Sequence, residues 1–407
     1  RLVSDWSSDV CSSDLDFMPS PLEDRPGLLI RDTFRFSDTT LILPPPLVPL
    51  LRFFDGKHEE RELHHGLFEL TGELDVGPLT QHLVESLDHA GFLINERFLG
   101  LREAKMEAFR QMPDRQPAHA GGGYPEEAGA LRGMMERYLN PDGVVRGETA
   151  RVGIAAPHAS PDASWESYRE AYLGLPAEAG ERTFVILGTS HYGAPERFGL
   201  TRKNYVTPFG AARTDQEAVE FLARRAPGAV EMEDYCHSIE HSIEFQTVFL
   251  QAVYGPEVKV LPVLCGPFGR SLYQGGMPEE DEGVAAFLEA LREWRAGPGR
   301  EAYWVLGVDM AHVGRRYGDE EGVQAGDEQM ERVEERDRAR VAAIERGDAE
   351  GYWGLVQPDH DDLRWCGSAP IYTFLRTAPE VRAELKRYQQ WNIDGESVVS
   401  FAALHFG

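Results

Sequence analysis

Three short apolar runs, each delivering a histidine just past its end, constrain this chain more than any other feature. Residues 152–156 lead through Pro157 to His158. Residues 183–187 lead through Gly188-Thr189-Ser190 to His191, and residues 302–308 lead to Asp309 and His312. Short β-branched or aliphatic runs bounded by Gly or Pro are expected to be buried strands of a parallel sheet. In an open α/β sheet, ligands sit in the crevice at the carboxyl ends of the strands. A single histidine after a strand is an ordinary loop residue. Three in the same position place imidazoles along one rim, which is the arrangement of a site.

The rest of residues 126–407 alternates strand and helix signals, with further strands expected over 259–264 and 397–404 and a helix over 126–138. The expected fold class is therefore α/β, a mixed or parallel sheet flanked by helices. Ahead of residue 259 lies the densest polar cluster, His237-Ser238-Ile239-Glu240-His241-Ser242-Ile243-Glu244-Phe245-Gln246. Read as one helix, it puts His237 with His241, and Glu240 with Glu244, on shared faces at i,i+4 spacing. An acidic first turn with surface histidines would account for part of this. The doubled H-S-I-E instead points to His241 and Glu244 as lining the site.

Upstream, residues 24–105 form a separate small module. Strands are expected at 28–30 and 40–43, helices at 48–54, 61–71 and 76–90, and a wing strand at 91–94, together a winged-helix outline. His58, His64 and His65 stand among Glu and Arg and are expected on a solvated surface. A linker rich in Pro, Gly and Ala follows, so that 106–125 joins the two parts, and His119 is expected in a loop. Residues 1–15 resemble translated sequencing-adapter read-through and are set aside, together with Cys11.

Composition narrows the partners. A formal charge of −27 disfavours nucleic acid, and no apolar run approaches the ~20 residues needed to span a bilayer. The cysteines lack tight metal-finger spacing and, with no secretory signal, are expected to be reduced in the cytoplasm.

Five motifs then occur in order. They are A-P-H-A at 156–159, I-L-G-T-S-H at 186–191, E-H-S-I-E-F-Q at 240–246, G-V-D-M-A-H-V-G at 307–314 and C-G-S-A-P-I-Y at 366–372. Together they resemble the MEMO family, in the form called AmmeMemoRadiSam system protein B. Residues 117–125 resemble the family's A-G-S-W-Y-P opening, and residues 24–105 resemble a small peptide-binding domain of the kind used as a peptide chaperone in quinone cofactor synthesis. The resemblance implies a fold like that of class III extradiol dioxygenases. It also implies a metal held by His158, His191 and Cys366, with Asp309 and His312 beside it. Ser160 stands where the family often has glycine after A-P-H-A, and Gly123-Tyr124 replaces the opening W-Y.

Two imidazoles and a thiolate would form an open three-ligand site for one transition metal ion, iron or copper, with zinc also compatible. Cys366 precedes a helix expected from Ile371, and a helix N-terminus favours the thiolate. Cys236 and Cys265 have no such setting and are expected to be structural. His241 or His312 would serve as acid/base, oriented by Asp309 or Glu244. Two functions remain open. One is a metal-dependent redox or oxygen-using enzyme acting on an unidentified small molecule or peptide, in a pathway that the resemblance links to an AMMECR1-type protein and a radical S-adenosylmethionine enzyme. The other is a non-catalytic metal-binding protein that recruits partners.

Overall fold

The computed structural model describes residues 15–22, 24–139, 151–176 and 182–407. The N-terminal residues 1–14, Cys11 among them, lie outside the described residues. The chain divides into two compact units, with the boundary between Gln111 and Met112.

In the smaller unit, β1 (Leu15–Pro19), β2 (Leu28–Asp32) and β3 (Thr40–Leu43) form an antiparallel sheet in that order. A 3-10 helix, Pro45–Phe53, and three α-helices, Glu60–Thr71, Gly77–His89 and Glu96–Gln111, follow. The first of these was expected as an ordinary helix. Pro49 inside it cannot donate an N–H, so the tighter turn forms instead. Leu83 and Leu87, one turn apart, meet Leu63, Leu67, Ile30 and Leu43 in one core.

The expected wing strand at 91–94 does not form. Gly91 takes φ +72° and ends the preceding helix, and the Phe92 N–H donates back to the Leu87 carbonyl at 2.9 Å. Phe92 is apolar because it is fully buried in this core. Asn95 then caps the next helix through the Phe98 N–H. That helix, Glu96–Gln111, is charged along most of its length and buries only Phe98 and Phe109. Its weak apolar period hid it in the sequence, and it carries the boundary past the expected position at 105/106.

The larger unit is built on a mixed sheet. Its strands are β4 (Asp114–Arg115), β5 (Gly153–Ala156), β6 (Thr183–Thr189), β7 (Phe198–Leu200), β8 (Asn204–Thr207), β9 (Gly210–Thr214), β10 (Val230–Met232), β11 (Lys259–Cys265), β12 (Tyr303–Gly307), β13 (His312–Gly314), β14 (Ala383–Asn392) and β15 (Ser397–Phe406). The main order is β13-β15-β5-β12-β6-β11-β9-β8-β4. At its centre β5, β12, β6 and β11 run parallel, while β15 is antiparallel to β5 and β14 is antiparallel to β15. All five strands expected from the apolar runs are present.

Those runs are continuous because both faces of the central strands are covered. Successive residues point to opposite faces: Ala155, Val185, Leu187 and Leu306 enter one hydrophobic cluster, and Ile154, Phe184, Ile186 and Val305 enter the other. The register pairs Gly307 with both Ala156 and Gly188. β5, β12 and β6 therefore end side by side and release their following loops at one rim. Among the described residues no helix is long and apolar enough to cross a membrane.

Candidate metal centre

His158 leaves β5 through Pro157 and is buried. Its Nδ1 lies 2.9 Å from the Gly307 carbonyl at the end of β12, which leaves Nε2 to face the rim. Its backbone N–H donates to Asp309 Oδ1 at 3.0 Å. His191, beyond β6, is fixed twice by one carboxylate. Its N–H donates to Glu240 Oε2 at 2.9 Å, and its Nδ1 lies 3.0 Å from Glu240 Oε1.

The third imidazole arrives by a path the sequence did not reveal. The expected single helix through 237–246 is broken into Cys236–Ile239 and Glu244–Tyr254, with Glu240 extended at ψ 139°. Two contacts favour the break. The Glu240 carboxylate accepts the N–H groups of His241 at 2.8 Å and Ser242 at 3.3 Å, a local bond that competes with helix. The Glu240 carbonyl, which a helix would have used, accepts from Arg115 Nη2 at 2.9 Å.

The i,i+4 faces inferred from sequence therefore do not exist. His237 turns into the interior, where its Nδ1 is 2.6 Å from the Tyr205 hydroxyl. His241 swings to the rim. Gly188 and Gly307 admit this segment: a Cβ on Gly188 would lie 2.5 Å from Ser242 Oγ, and one on Gly307 would lie 2.2 Å from the Ser242 carbonyl. Ser242 Oγ closes the contact by donating to the Thr189 carbonyl at 2.8 Å.

His158, His191 and His241 thus converge, with ring centroids 4.9–5.0 Å apart and one nitrogen of each within 4.8 Å of the others. The three Nδ1 atoms face Gly307 O or Glu240, so the Nε2 atoms are the ones free to converge. Burial, deepened by the neighbouring imidazoles, pushes His158 down to about 3 against the pull of Asp309. It is a neutral base with a lone pair on Nε2, which is the form a metal requires. Burial acts to raise the Glu240 carboxyl, but His191 and His241 hold it well below the usual carboxylate range. Burial lowers His191 in turn, and Glu240 more than restores it. The donor set suits a transition metal ion.

The other expected site residues fall into two groups. Cys366 belongs at the rim: its Sγ is 3.2 Å from His158 Nε2 and 3.8 Å from the Asp309 carbonyl. Gly367 allows that approach, since a Cβ there would lie 2.6 Å from Val308. Asp309 Oδ2 is 3.6 Å from His158 Nε2. His312 turns its Nδ1 to the carbonyls of Met310 and Arg364, at 2.9 and 3.0 Å, with its ring against Tyr317. Burial lowers its pKa, although Asp309 opposes this.

Glu244 lies elsewhere. Its carboxylate is fully buried on Arg115 Nη1 at 2.5 Å and accepts from the Ala118 and His119 N–H groups and from the Tyr124 hydroxyl. Burial acts to raise its pKa, and Arg115 holds it below normal. The carboxylate beside the rim imidazoles is that of Glu240 rather than Glu244, and the bonds of Glu244 fasten residues 118–124 instead. His119 consequently stands with its ring 5.5 Å from that of His241, and its Nε2 lies 2.8 Å from the Ile239 carbonyl. Sequence reasoning missed Glu240 as the shared partner and Arg115 altogether. The doubled H-S-I-E was a signal for the first. Nothing local to Arg115 marks the second.

A family model described as Memo-like protein matches residues 115–405. The chain belongs to the Memo-like family. A MEMO1 family protein of Aquifex aeolicus is 27% identical over 382 residues, covering 93% of this chain and 95% of the relative. One from Thermococcus kodakarensis is 29% identical over 302 residues, covering 72% of this chain and 99% of its own length. One from Thermus thermophilus is 30% identical over 259 residues, covering 63% and 72%. The match to this Memo-like family takes in every residue named at this centre, from Arg115 to Cys366.

Proposed function

We propose that this Memo-like chain binds one transition metal ion, iron or copper with zinc also compatible, and uses it as a redox or oxygen-using enzyme on a small-molecule or peptide substrate. The observation that carries this reading is the convergence of His158, His191 and His241 at the carboxyl ends of parallel strands. His158 and His191 supply two Nε2 donors. His241 Nε2 and the Cys366 thiolate are the candidates to complete the set. The Gly307 carbonyl and the Glu240 carboxylate hold the Nδ1 protons, which fixes tautomer and ring orientation as metal sites require.

When bound, the ion supplies Lewis acidity or electron-transfer capacity to a ligand at the remaining positions. The protein residues supply the proton chemistry. His312 donates its Nδ1 proton to the two backbone carbonyls, which leaves Nε2 able to accept a proton. Asp309, anchored by the His158 N–H, biases the charge on its neighbours. The partners implied by the family resemblance, an AMMECR1-type protein and a radical S-adenosylmethionine enzyme, would place the reaction within a multi-protein pathway.

The test is metal analysis of protein purified without oxygen, followed by a substrate screen and by Asp309→Asn and His312→Ala with metal in excess. Both variants are expected to keep the ion and lose turnover. Full turnover in both would remove the acid/base assignment. A protein that holds metal but turns over nothing would favour the partner-recruiting function.

A further inference from the structure

The turn that delivers Cys366 to the rim is backbone-strained. Asp359, His360, Asp361 and Arg364 have φ of 54–57°, and they are four of the seven non-glycine residues with positive φ among the described residues. Side chains rarely adopt this region, and such residues persist only where their surroundings over-determine them. What over-determines this turn is a buried ion pair. Asp361 Oδ1 accepts from Arg340 Nη1 at 2.7 Å, with both side chains over nine-tenths buried. The other oxygen, Oδ2, accepts from the Trp365 N–H at 3.0 Å and from Ser368 Oγ at 3.2 Å, and so brackets Cys366 on both sides. Arg340 also donates Nε to the Leu355 carbonyl and lies over the Trp365 ring at 5.2 Å. The Trp365 indole N–H in turn donates to Asp337 at 2.7 Å. The same turn supplies the Leu363 and Arg364 carbonyls that hold His312.

We infer that Arg340 and Asp361 are positioning residues for the metal centre: their ion pair holds the strained turn in the one conformation that keeps the Cys366 sulfur against His158. This rests on the metal-binding reading above and extends it to a pair that touches neither metal nor substrate. A carboxylate bonded to Trp365 and Ser368, on either side of the cysteine, and locked by a buried guanidinium leaves the intervening Sγ little freedom. Without the lock, the turn can relax toward ordinary φ values, which moves Cys366 and His312 together and leaves His158, His191 and His241 in place on their own strand ends and loop.

The full chain loaded with cobalt(II) tests this, because thiolate ligation gives a charge-transfer absorption that imidazole ligation does not. Wild type is expected to show the band and Cys366→Ser to lack it. Asp361→Asn, which tolerates left-handed backbone, and Arg340→Lys, which keeps the charge but not the planar fork, should still bind cobalt. In both, the band per bound ion should fall by half or more, and the affinity should drop about 10-fold, as for other outer-shell partners of metal ligands. Arg336→Gln, which breaks the adjacent but exposed Arg336–Asp362 pair, should leave the band unchanged. Thermal unfolding of each variant shows which ones are folded. Should Asp361→Asn fail to fold, Arg340→Lys decides by the same criterion.

An unchanged band in the folded variants, or an equal loss in Arg336→Gln, overturns the positioning role and leaves the metal centre standing. Cobalt bound by wild type without the band removes Cys366 as a ligand, and this inference with it, while the imidazole site survives. No cobalt bound by wild type overturns the metal centre itself.

Discussion

Glu240 holds His191 at both ends of its freedom: the carboxylate takes the His191 backbone N–H at 2.9 Å and stands 3.0 Å from its Nδ1. The same Oε1 is 3.1 Å from Nδ1 of His241. One buried anion therefore sets the tautomer of two of the three converging rings. Carboxylates in this position raise ligand basicity, and their loss costs about 10–100-fold in metal affinity. Glu240→Gln should fall in that range and Glu240→Ala at or beyond its upper end, as measured by competition with a chromophoric chelator. Wild-type affinity in Glu240→Ala would mean that the rings are oriented by something else.

Glu244 is expected to act on stability rather than chemistry. Removing one partner of a buried ion pair leaves the other charge uncompensated, at a cost of about 3–5 kcal/mol. Glu244→Ala should show a loss of that size in urea unfolding, because Arg115 is fully buried beside it. Replacing both Arg115 and Glu244 by Met should destabilise by less than the sum of the single changes. A loss of under about 1 kcal/mol in Glu244→Ala, the size found for exposed pairs, would contradict the buried-pair assignment.

Acid sensitivity should be traceable to His237. Burial lowers its pKa from 6.5 to about 4. The folded state binds fewer protons than the unfolded state between those values, so the stability this residue contributes is complete above pH 6.5 and is lost as pH falls toward 4. The full effect is about 3 kcal/mol. Asp234 and Asp337, raised by burial to about 7 and about 6, work in the opposite direction and His158, lowered to about 3, in the same one, so wild type alone does not isolate the effect of His237. His237→Gln should flatten the difference in unfolding free energy between pH 7 and pH 4.5. An identical pH dependence in wild type and variant would exclude it.

What the sequence disclosed follows from how each element is stabilised. β5, β6, β11, β12 and β15 were legible because burial on both faces requires unbroken apolar runs. β14 was not: its residues are half-exposed and polar at most positions, and pairing along its length with β15 holds it in place. His158 and His191 were legible as strand-end residues. His241 was legible through the doubled H-S-I-E, but the helical face that went with it does not exist, because the break at Glu240 rests in part on Arg115, 125 residues away in sequence. A contact of that range leaves no trace in local periodicity. The helix Glu96–Gln111 was hidden for the opposite reason, since it buries too few side chains to set a period.

The shifted boundary gives a prediction of its own. The Thermococcus relative is matched over 99% of its length by 72% of this chain, a share that the larger unit alone would fill. Residues 112–407 should therefore fold independently, with a single cooperative melt. A cut at 106 would instead leave a stub of the Glu96–Gln111 helix. Insolubility or a non-cooperative melt of 112–407 would show that the two units depend on each other for folding.

The central claim is that His158 and His191, with His241 or Cys366 as the third donor, hold one ion, and its most direct test is metal stoichiometry after gel filtration of protein purified without oxygen. Wild type should carry one transition metal ion per chain. His158→Ala and His191→Ala should each carry almost none. His241→Ala and Cys366→Ser should each lower the content, and whichever lowers it more identifies the stronger third donor, since a hydroxyl is a poor replacement for a thiolate. Metal content equal to wild type in both His158→Ala and His191→Ala would contradict the account.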